Sequence, residues 1–269
     1  MKTDSQKLRY ITGQPWVVAD VNDLINVIMG DDDNDKEREP VNLVSQVNNI
    51  SIIQVSGIIN DSGIEGTIST AEIRDAFDEA LSNTTTDVVL FIWDSGGGSI
   101  KGIPSLADYI NKAKQRSSKT ILSYTDTIMA SGALWLGVQA DAVFASKYAS
   151  VGSMGAVMVT MDTQKALENQ GIVPHVFTTG ELKNTGATVG GHSEAQVRSL
   201  QAQVVKFGEL FADAVKTARN LSDSQIKALS DAHTSIGGDA VKDGLVDAIM
   251  SLENVVSMYS HSTQPLTVQ

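Results

Sequence analysis

Three short segments of this 269-residue chain hold residue types that can do chemistry. Ala130-Ser131-Gly132-Ala133 lies between a strand-like run and a helical apolar run. A serine there sits at a helix N-terminus among small residues, where unpaired backbone N–H groups and the helix dipole favour negative charge. The hydroxyl suits a nucleophile, and it also suits an ordinary N-cap. Position N3 would be Leu134, so no capping box speaks for the cap. The second segment, Gly96-Gly97-Gly98, follows directly on an apolar strand-like run. Glycines let backbone approach a ligand closely and present N–H groups, or simply make a tight turn. No Gly-Lys-Ser/Thr follows and the spacing is not GxGxxG, which argues against a phosphate or dinucleotide site.

A nucleophilic serine needs a base. The four histidines, His175, His192, His233 and His261, fall in no recognisable triad motif. Lysine is the other option. A free lysine titrates near pH 10.4 and a useful base nearer 7 to 8, a difference of about 4 kcal/mol that burial away from water can supply. The third segment, TTGELKNTGA, places Lys183 in a Gly- and Thr-rich stretch after a strand-like run. Most lysines are surface charges, and sequence alone does not lift Lys183 out of that class.

Composition narrows what these segments could serve. Lys plus Arg is 20 and Asp plus Glu is 32, a net charge of −12. That balance argues against a nucleic-acid binder, which needs a basic face, and against electrostatic docking on anionic lipid. With no cysteine, disulfides, thiolate zinc sites and a cysteine nucleophile are excluded. The first residues, MKTDSQKLRY, lack the apolar centre of a signal peptide, and no stretch reads as a membrane helix. The expectation is a cytoplasmic protein in a reducing compartment.

The elements that must position these residues alternate. Trp16–Met29 has helical apolar spacing, and the charged run GDDDNDKEREP, residues 30 to 40, reads as a linker. Residues 1–40 are therefore expected to be a helical appendage. From about residue 50, Ile50–Ile59, Asp87–Trp93 and Thr120–Tyr124 read as strands, the second apolar enough to be buried on both faces. Helices are expected from the capping box Ser69/Glu72, over Ile103–Ile110 and over Ser131–Gln139, with strand and helix signals alternating through Thr178. That alternation predicts an α/β fold with parallel strands and helical crossovers. A second capping box, Ser193/Gln196, opens a long amphipathic helix with Val197, Leu200, Val204, Phe207, Phe211 and Val215 on one face. Shorter helices are expected near Ser222–Leu229 and Gly238–Asp243. The main domain spans 41–258, and 259–269 is a polar tail.

Taken in order, DSGGGS, MASGALWLG, the Ala140–Ser146 segment ADAVFAS, VGSMGAVMV and GELK resemble the signal peptide peptidase A family of Ser-Lys serine peptidases. A segment resembling the family's A-x-x-x-GLVD signature, Ala240–Asp247, closes a similarity running from about residue 50 to about 250. The resemblance implies a Clp-protease/crotonase-like fold of repeated β-β-α units with a helical C-terminal region. It implies Ser131 as nucleophile, Lys183 as general base and Ser153 as the serine that orients that lysine. Gly97 and Gly132 match the oxyanion-hole N–H donors, and Gly96 and Gly98 flank a strand-like substrate site. It implies no metal or cofactor, a polypeptide substrate and a homo-oligomer. The appendage and acidic linker look most similar to the bacteriophage capsid-assembly protease branch, which would act on scaffold or head proteins in host cytoplasm or procapsid.

Three departures stand out. Gly96 replaces a usual proline, NTGATVGG lacks the proline that often follows the base lysine, and Glu181 would share a face with Lys183 if that segment were extended. The alternatives are a cellular signal-peptide-peptidase-like protease, a crotonase-type acyl-CoA enzyme, and an assembly factor with a degenerate site. A Clp-type Ser-His-Asp triad is disfavoured, because no histidine falls between Ser131 and His175.

Overall fold

The apolar run at Asp87–Trp93 is covered on both faces. In the computed structural model, which describes residues 16–18, 42–61, 67–187 and 189–260, it forms β6 (Val88–Ser95) at the centre of the larger sheet. Its side chains alternate with the two-residue strand period. Val89, Phe91 and Trp93 face one apolar core, while Val88 and Leu90 face a second. The neighbouring strand β3 (Ile50–Ser56) does the same, with Ile53 and Val55 on the first side and Ile50 and Ile52 on the other.

In chain order the strands are β1 (Trp16–Val18), β2 (Val44–Val47), β3, β4 (Ile58–Asn60), β5 (Thr67–Ser69), β6, β7 (Gly97–Ser99), β8 (Thr120–Ala130), β9 (Ala142–Ala145), β10 (Ser150–Gly152), β11 (Thr234–Ile236) and β12 (Ala248–Ile249). The helices are α1 (Thr70–Ser82), α2 (Ile103–Arg116), α3 (Gly132–Gly137), α4 (Gln164–Asn169), α5 (Glu194–Arg219), α6 (Asp223–Ala228), α7 (Gly238–Lys242) and α8 (Leu252–Tyr259). The larger sheet runs β11-β10-β8-β6-β3-β2, with β9 added to β8 and β12 to β9. Pairs β3–β6, β6–β8, β8–β9 and β8–β10 are parallel. The smaller sheet runs β1-β7-β4-β5. The molecule is thus mixed α/β with a parallel-strand sheet, as the alternation predicts.

Strand β8 matters most for the site. Its first half pairs with β6 and β9, and its last residues pair with β10 through Ile128↔Ser150, Met129↔Val151 and Ala130↔Gly152. Two buried polar groups on this sheet are paired in series: the Trp93 indole donates to Ser123 Oγ at 3.1 Å, and Ser123 donates to the Gly137 carbonyl at 2.8 Å. These bonds tie the C-terminus of α3 to the strands beneath it. Trp135 of α3 stacks on Phe211 of α5, with ring centroids 4.6 Å apart and an interplanar angle of 9°. Such a pair adds about 1 kcal/mol beyond its area burial.

Several expectations need correction. Trp16–Val18 is strand rather than the start of a helix, and it pairs with β7; the rest of the expected appendage lies outside the described residues. The run Ile50–Ile59 splits at Gly57 into β3 and β4. The alternation does not continue to Thr178: between Ser153 and Glu194 the only regular element among described residues is α4. The capping boxes hold at Ser69/Glu72 and Ser193/Gln196. However, the apolar stripe of α5 is buried only toward its C-terminal half, at Phe211 and Val215, while Val197 is exposed. Helix α8, which places Val255 and Val256 on the second core, was not anticipated. No helix among the described residues is long and apolar enough to cross a membrane.

Candidate active site

Ser131 follows the last residue of β8 and precedes the first residue of α3. Its backbone is left-handed, with φ 52° and ψ −119°. A non-glycine residue held there costs on the order of 1–3 kcal/mol and persists only when its surroundings enforce it. Two hydrogen bonds do so: the Ser131 N–H donates to the Gly152 carbonyl at 2.8 Å, and the Ser131 carbonyl accepts from the Trp135 N–H at 3.0 Å. The side chain does not cap α3. Ser131 is fully buried, and its Oγ has no hydrogen-bond partner. The N-cap reading is therefore excluded by geometry. What remains is a strained strand-to-helix serine with an uncommitted hydroxyl, the arrangement that aims a nucleophile.

Ser153 stands beside it. Because Ala130 and Gly152 are register partners, Ser131 and Ser153 are each one residue beyond a matched pair on adjacent parallel strands. Ser153 is also left-handed, with φ 55°, and its N–H donates to the His233 carbonyl at 2.8 Å. It is buried.

Gly132 is the first residue of α3, so its N–H lies in the turn that has no intrahelical acceptor. The Gly-rich segment forms β7, which packs against α3. Gly98 comes so close to β4 that an added Cβ would lie 1.7 Å from the Ile59 carbonyl oxygen. The Gly97 N–H is already engaged: it donates to Ser95 Oγ at 3.1 Å, and that hydroxyl donates to the Gly57 carbonyl at 2.6 Å. Gly97 serves an oxyanion only by giving up this bond to Ser95.

Lys183 sits elsewhere in character. It lies on an exposed turn spanning Glu181–Gly186, with its N–H on the Gly180 carbonyl at 3.0 Å. The burial that a lysine base requires is absent in the single chain, contrary to expectation. The turn also removes the premise that Glu181 and Lys183 share an extended face. Glu181 is directed to the start of α5, where its carboxylate accepts from Ser193 Oγ at 3.4 Å and its carbonyl accepts from Gln196 Nε2 at 3.1 Å. The turn carries buried atoms without partners, namely Thr185 Oγ1 and, nearby in sequence, both ring nitrogens of His192. The stretch preceding it exposes Ile172, Val173, Val176 and Phe177, the last 93% accessible.

His233, which sequence reading left without a role, is one strand over from Ser153. Its Nδ1 lies 2.5 Å from Asp231, and its Nε2 lies 3.9 Å from Asp243. The Asp231 hydrogen bond is the main cause that raises the His233 pKa, against the opposing effect of burial. Its ring is committed to carboxylates. Among the described residues no group of three or more His, Asp or Glu side chains gathers as a metal site.

The sequence profile of peptidase family S49 matches residues 113–264, more than half of the chain. The chain is 26% identical over 202 residues to an Enterococcus faecium protein named "Putative signal peptide peptidase SppA", covering 73% of this chain and 58% of that one. It is 28% identical over 176 residues to "Probable protease SohB" of Buchnera aphidicola subsp. Schizaphis graminum, covering 65% and 51%. To "Protease 4" of Haemophilus influenzae it is 24% identical over 216 residues, covering 78% and 34%. The matched region thus spans about a third to three-fifths of these relatives. The profile match takes in the strand-to-helix serine, the serine beside it and the lysine turn, and it makes this chain a member of peptidase family S49.

Proposed function

We propose that the chain is a serine endopeptidase using Ser131 and Lys183, with the Clp-protease/crotonase-like layout that the parallel sheet is compatible with. The observation that carries this reading is Ser131 itself: a buried, left-handed serine between strand and helix whose Oγ has no partner. In the first step Oγ bonds to the scissile carbonyl carbon, and its proton passes to neutral Lys183 Nζ. The oxyanion is held by the N–H of Gly132 and by that of Gly97 once it leaves Ser95. A single such donor is worth about 3–4 kcal/mol in other hydrolases. The C–N bond then breaks, the leaving amine takes the proton from Lys183, and an acyl ester remains on Ser131. Water gives a proton to Lys183 as its oxygen bonds to the ester carbon; the C–Oγ bond then breaks, Ser131 Oγ takes that proton back from Lys183, and the carboxylic acid product leaves. Ser153 orients the amine.

Because Lys183 is exposed in one chain, its cover comes from a second copy. The exposed apolar stretch around Phe177 and the exposed Val197 on the N-terminal half of α5 supply a surface suited to that contact. The names of the relatives support a signal-peptide-peptidase-like role. Nothing in them favours the capsid-maturation branch or an acyl-CoA substrate.

The exposure of Lys183 favours one second reading, an assembly factor with a degenerate site. One experiment separates the two: cleavage of quenched fluorogenic peptides by wild type, Ser131→Ala and Lys183→Ala, at rising protein concentration. The peptidase reading expects wild-type cleavage only. Normal cleavage by Ser131→Ala overturns the nucleophile, and a silent wild type at every concentration supports the degenerate site.

A further inference from the structure

The Gly-rich strand β7 has two edges, and both are taken. One pairs with β4 through Ile59↔Gly98. The other pairs antiparallel with β1 through Trp16↔Ser99, Val17↔Gly98 and Val18↔Gly97. In the strand order β1-β7-β4-β5, β1 is the outer strand. Strand β7 packs against α3, whose preceding residue is Ser131. An extended polypeptide reaching Ser131 along the Gly-rich segment therefore has one edge of β7 to pair with, and β1 holds it.

We infer that Trp16–Val18 is a built-in competitor that occupies the substrate's strand position. The inference rests on the reading of Ser131 as nucleophile and gives that site an internal occupant. Two of the three residues of β7 are glycines, so the rail offers main-chain hydrogen bonds and little side-chain discrimination. A three-residue strand binds weakly by itself. Tethering changes that, because covalent attachment within one chain raises the effective concentration to about the millimolar range. Residue 18 is followed by 25 residues before β2 begins at Val44 (44 − 18 − 1 = 25), including the charged run Asp31–Glu39. That length of chain lets β1 leave its edge without pulling β2 from the larger sheet. Substrate then enters by displacing a tethered strand, and basal activity is set by that competition.

The test uses the full chain with Val17→Pro and Val18→Pro together. Successive residues of an antiparallel strand point their N–H groups to opposite sides, so one of the two prolines must remove a donor to β7. Losing this occupant should lower KM for a fluorogenic peptide about tenfold at unchanged kcat, the shift that one or two backbone hydrogen bonds produce. A synthetic peptide of residues 12–22 should inhibit the variant competitively. A second arm does not depend on catalysis: in a Ser131→Ala background, the labelled 12–22 peptide should bind the double-proline chain about tenfold more tightly than the chain with β1 intact, as read by fluorescence anisotropy. An unchanged KM with equal peptide binding by both chains overturns the inference. Should the double variant not fold, the peptide must still inhibit wild type at millimolar concentration, and failure there also overturns it. Retained cleavage by Ser131→Ala would sink the nucleophile assignment alone, leaving the binding arm to decide the fate of β1.

Discussion

Ser131 and Ser153 stand side by side at the ends of parallel strands, both left-handed, at φ 52° and φ 55°. Each is pinned by a hydrogen bond from its own N–H to a carbonyl on the next strand, Ser131 to Gly152 and Ser153 to His233, both at 2.8 Å. The two bonds run in series across β8, β10 and the start of β11. The position of the candidate nucleophile is thereby set by backbone two strands away.

Gly152 is the joint of that series and is sterically closed. Its φ is 143°, and an added Cβ would lie 2.6 Å from the His233 carbonyl oxygen and 2.9 Å from Thr234 Cα. Gly152→Ala must push β11 away or move the carbonyl that holds Ser131. The expected result is a loss of about 2–3 kcal/mol in stability by urea unfolding. Turnover should fall about a hundredfold, since displacing reacting groups by an ångström has that effect. Wild-type turnover in the folded variant would show that the series does not position Ser131.

Lys183 is predicted to behave unlike a residue on which folding depends. Lys183→Ala should leave the thermal unfolding midpoint unchanged, because the side chain is exposed on its turn. It should still lower kcat by about a thousandfold or more, the usual consequence of removing one member of a catalytic unit. If a second copy covers the turn, as proposed, wild-type specific activity should also fall on dilution. Specific activity that stays constant down to the monomeric state, measured with parallel light scattering, would remove the need for a second copy.

Much of this architecture was legible in sequence because it rests on local rules. The two-faced apolar run at β6, the capping boxes at Ser69 and Ser193, and the small residues around Ser131 each carry their own signal. The strained backbone of Ser131 left no such trace, because it is imposed by Gly152, a residue distant in sequence. Trp16–Met29 misled for a related reason. Helical spacing is a weak local preference, and an unpaired edge at β7 outweighs it for Trp16–Val18. The amphipathic spacing of α5 does not say how deeply each position packs: Phe211 and Val215 are buried, whereas Val197 is exposed and Leu200 and Val204 are half-buried. The exposure of Lys183 agrees with the reading of the residue by itself as a surface lysine; only the family resemblance asks for its burial.

His233 gives a pH dependence of definite sign. Its pKa is raised, chiefly by the hydrogen bond to Asp231 and against the effect of burial, with Asp243 adding from α7's C-terminal side. A raised folded-state value means the stabilisation is fully present below the unfolded value, near pH 6.5, and fades as pH rises through the folded one. Asp231 is correspondingly lowered by His233, so the pair also loses its contribution as pH falls through Asp231's own titration. Stability from this pair is therefore greatest in the mildly acidic range. His233→Gln should flatten the unfolding midpoint between about pH 6 and 8 relative to wild type, as followed by circular dichroism. An equal slope in both proteins would place the pH dependence elsewhere.

The Ala240–Asp247 segment has a structural reason for its resemblance to a family signature. Asp247 receives two hydrogen bonds from Arg219 at the end of α5, Nη2 to Oδ1 at 2.7 Å and Nη1 to Oδ2 at 3.0 Å. The same carboxylate accepts from the Val143 N–H of β9 at 2.7 Å. One side chain thus fastens the long helix to the sheet, while Phe211 farther up that helix stacks on Trp135 of α3. Burial pushes the Asp247 carboxyl up, but the Arg219 and Val143 hydrogen bonds outweigh it and hold its pKa below the ordinary value. Its contribution is present above the unfolded value of about 3.9 and is lost as pH falls through the lower folded one. Asp247→Asn should cost about 1–2 kcal/mol at neutral pH, a charged-bond value discounted because Asp247 is 44% exposed. The gap between variant and wild type should close as pH falls through the lowered folded-state titration of Asp247, below which both side chains are neutral. A gap that persists unchanged into acid would mean the cost comes from packing around α5 rather than from the charge on Asp247.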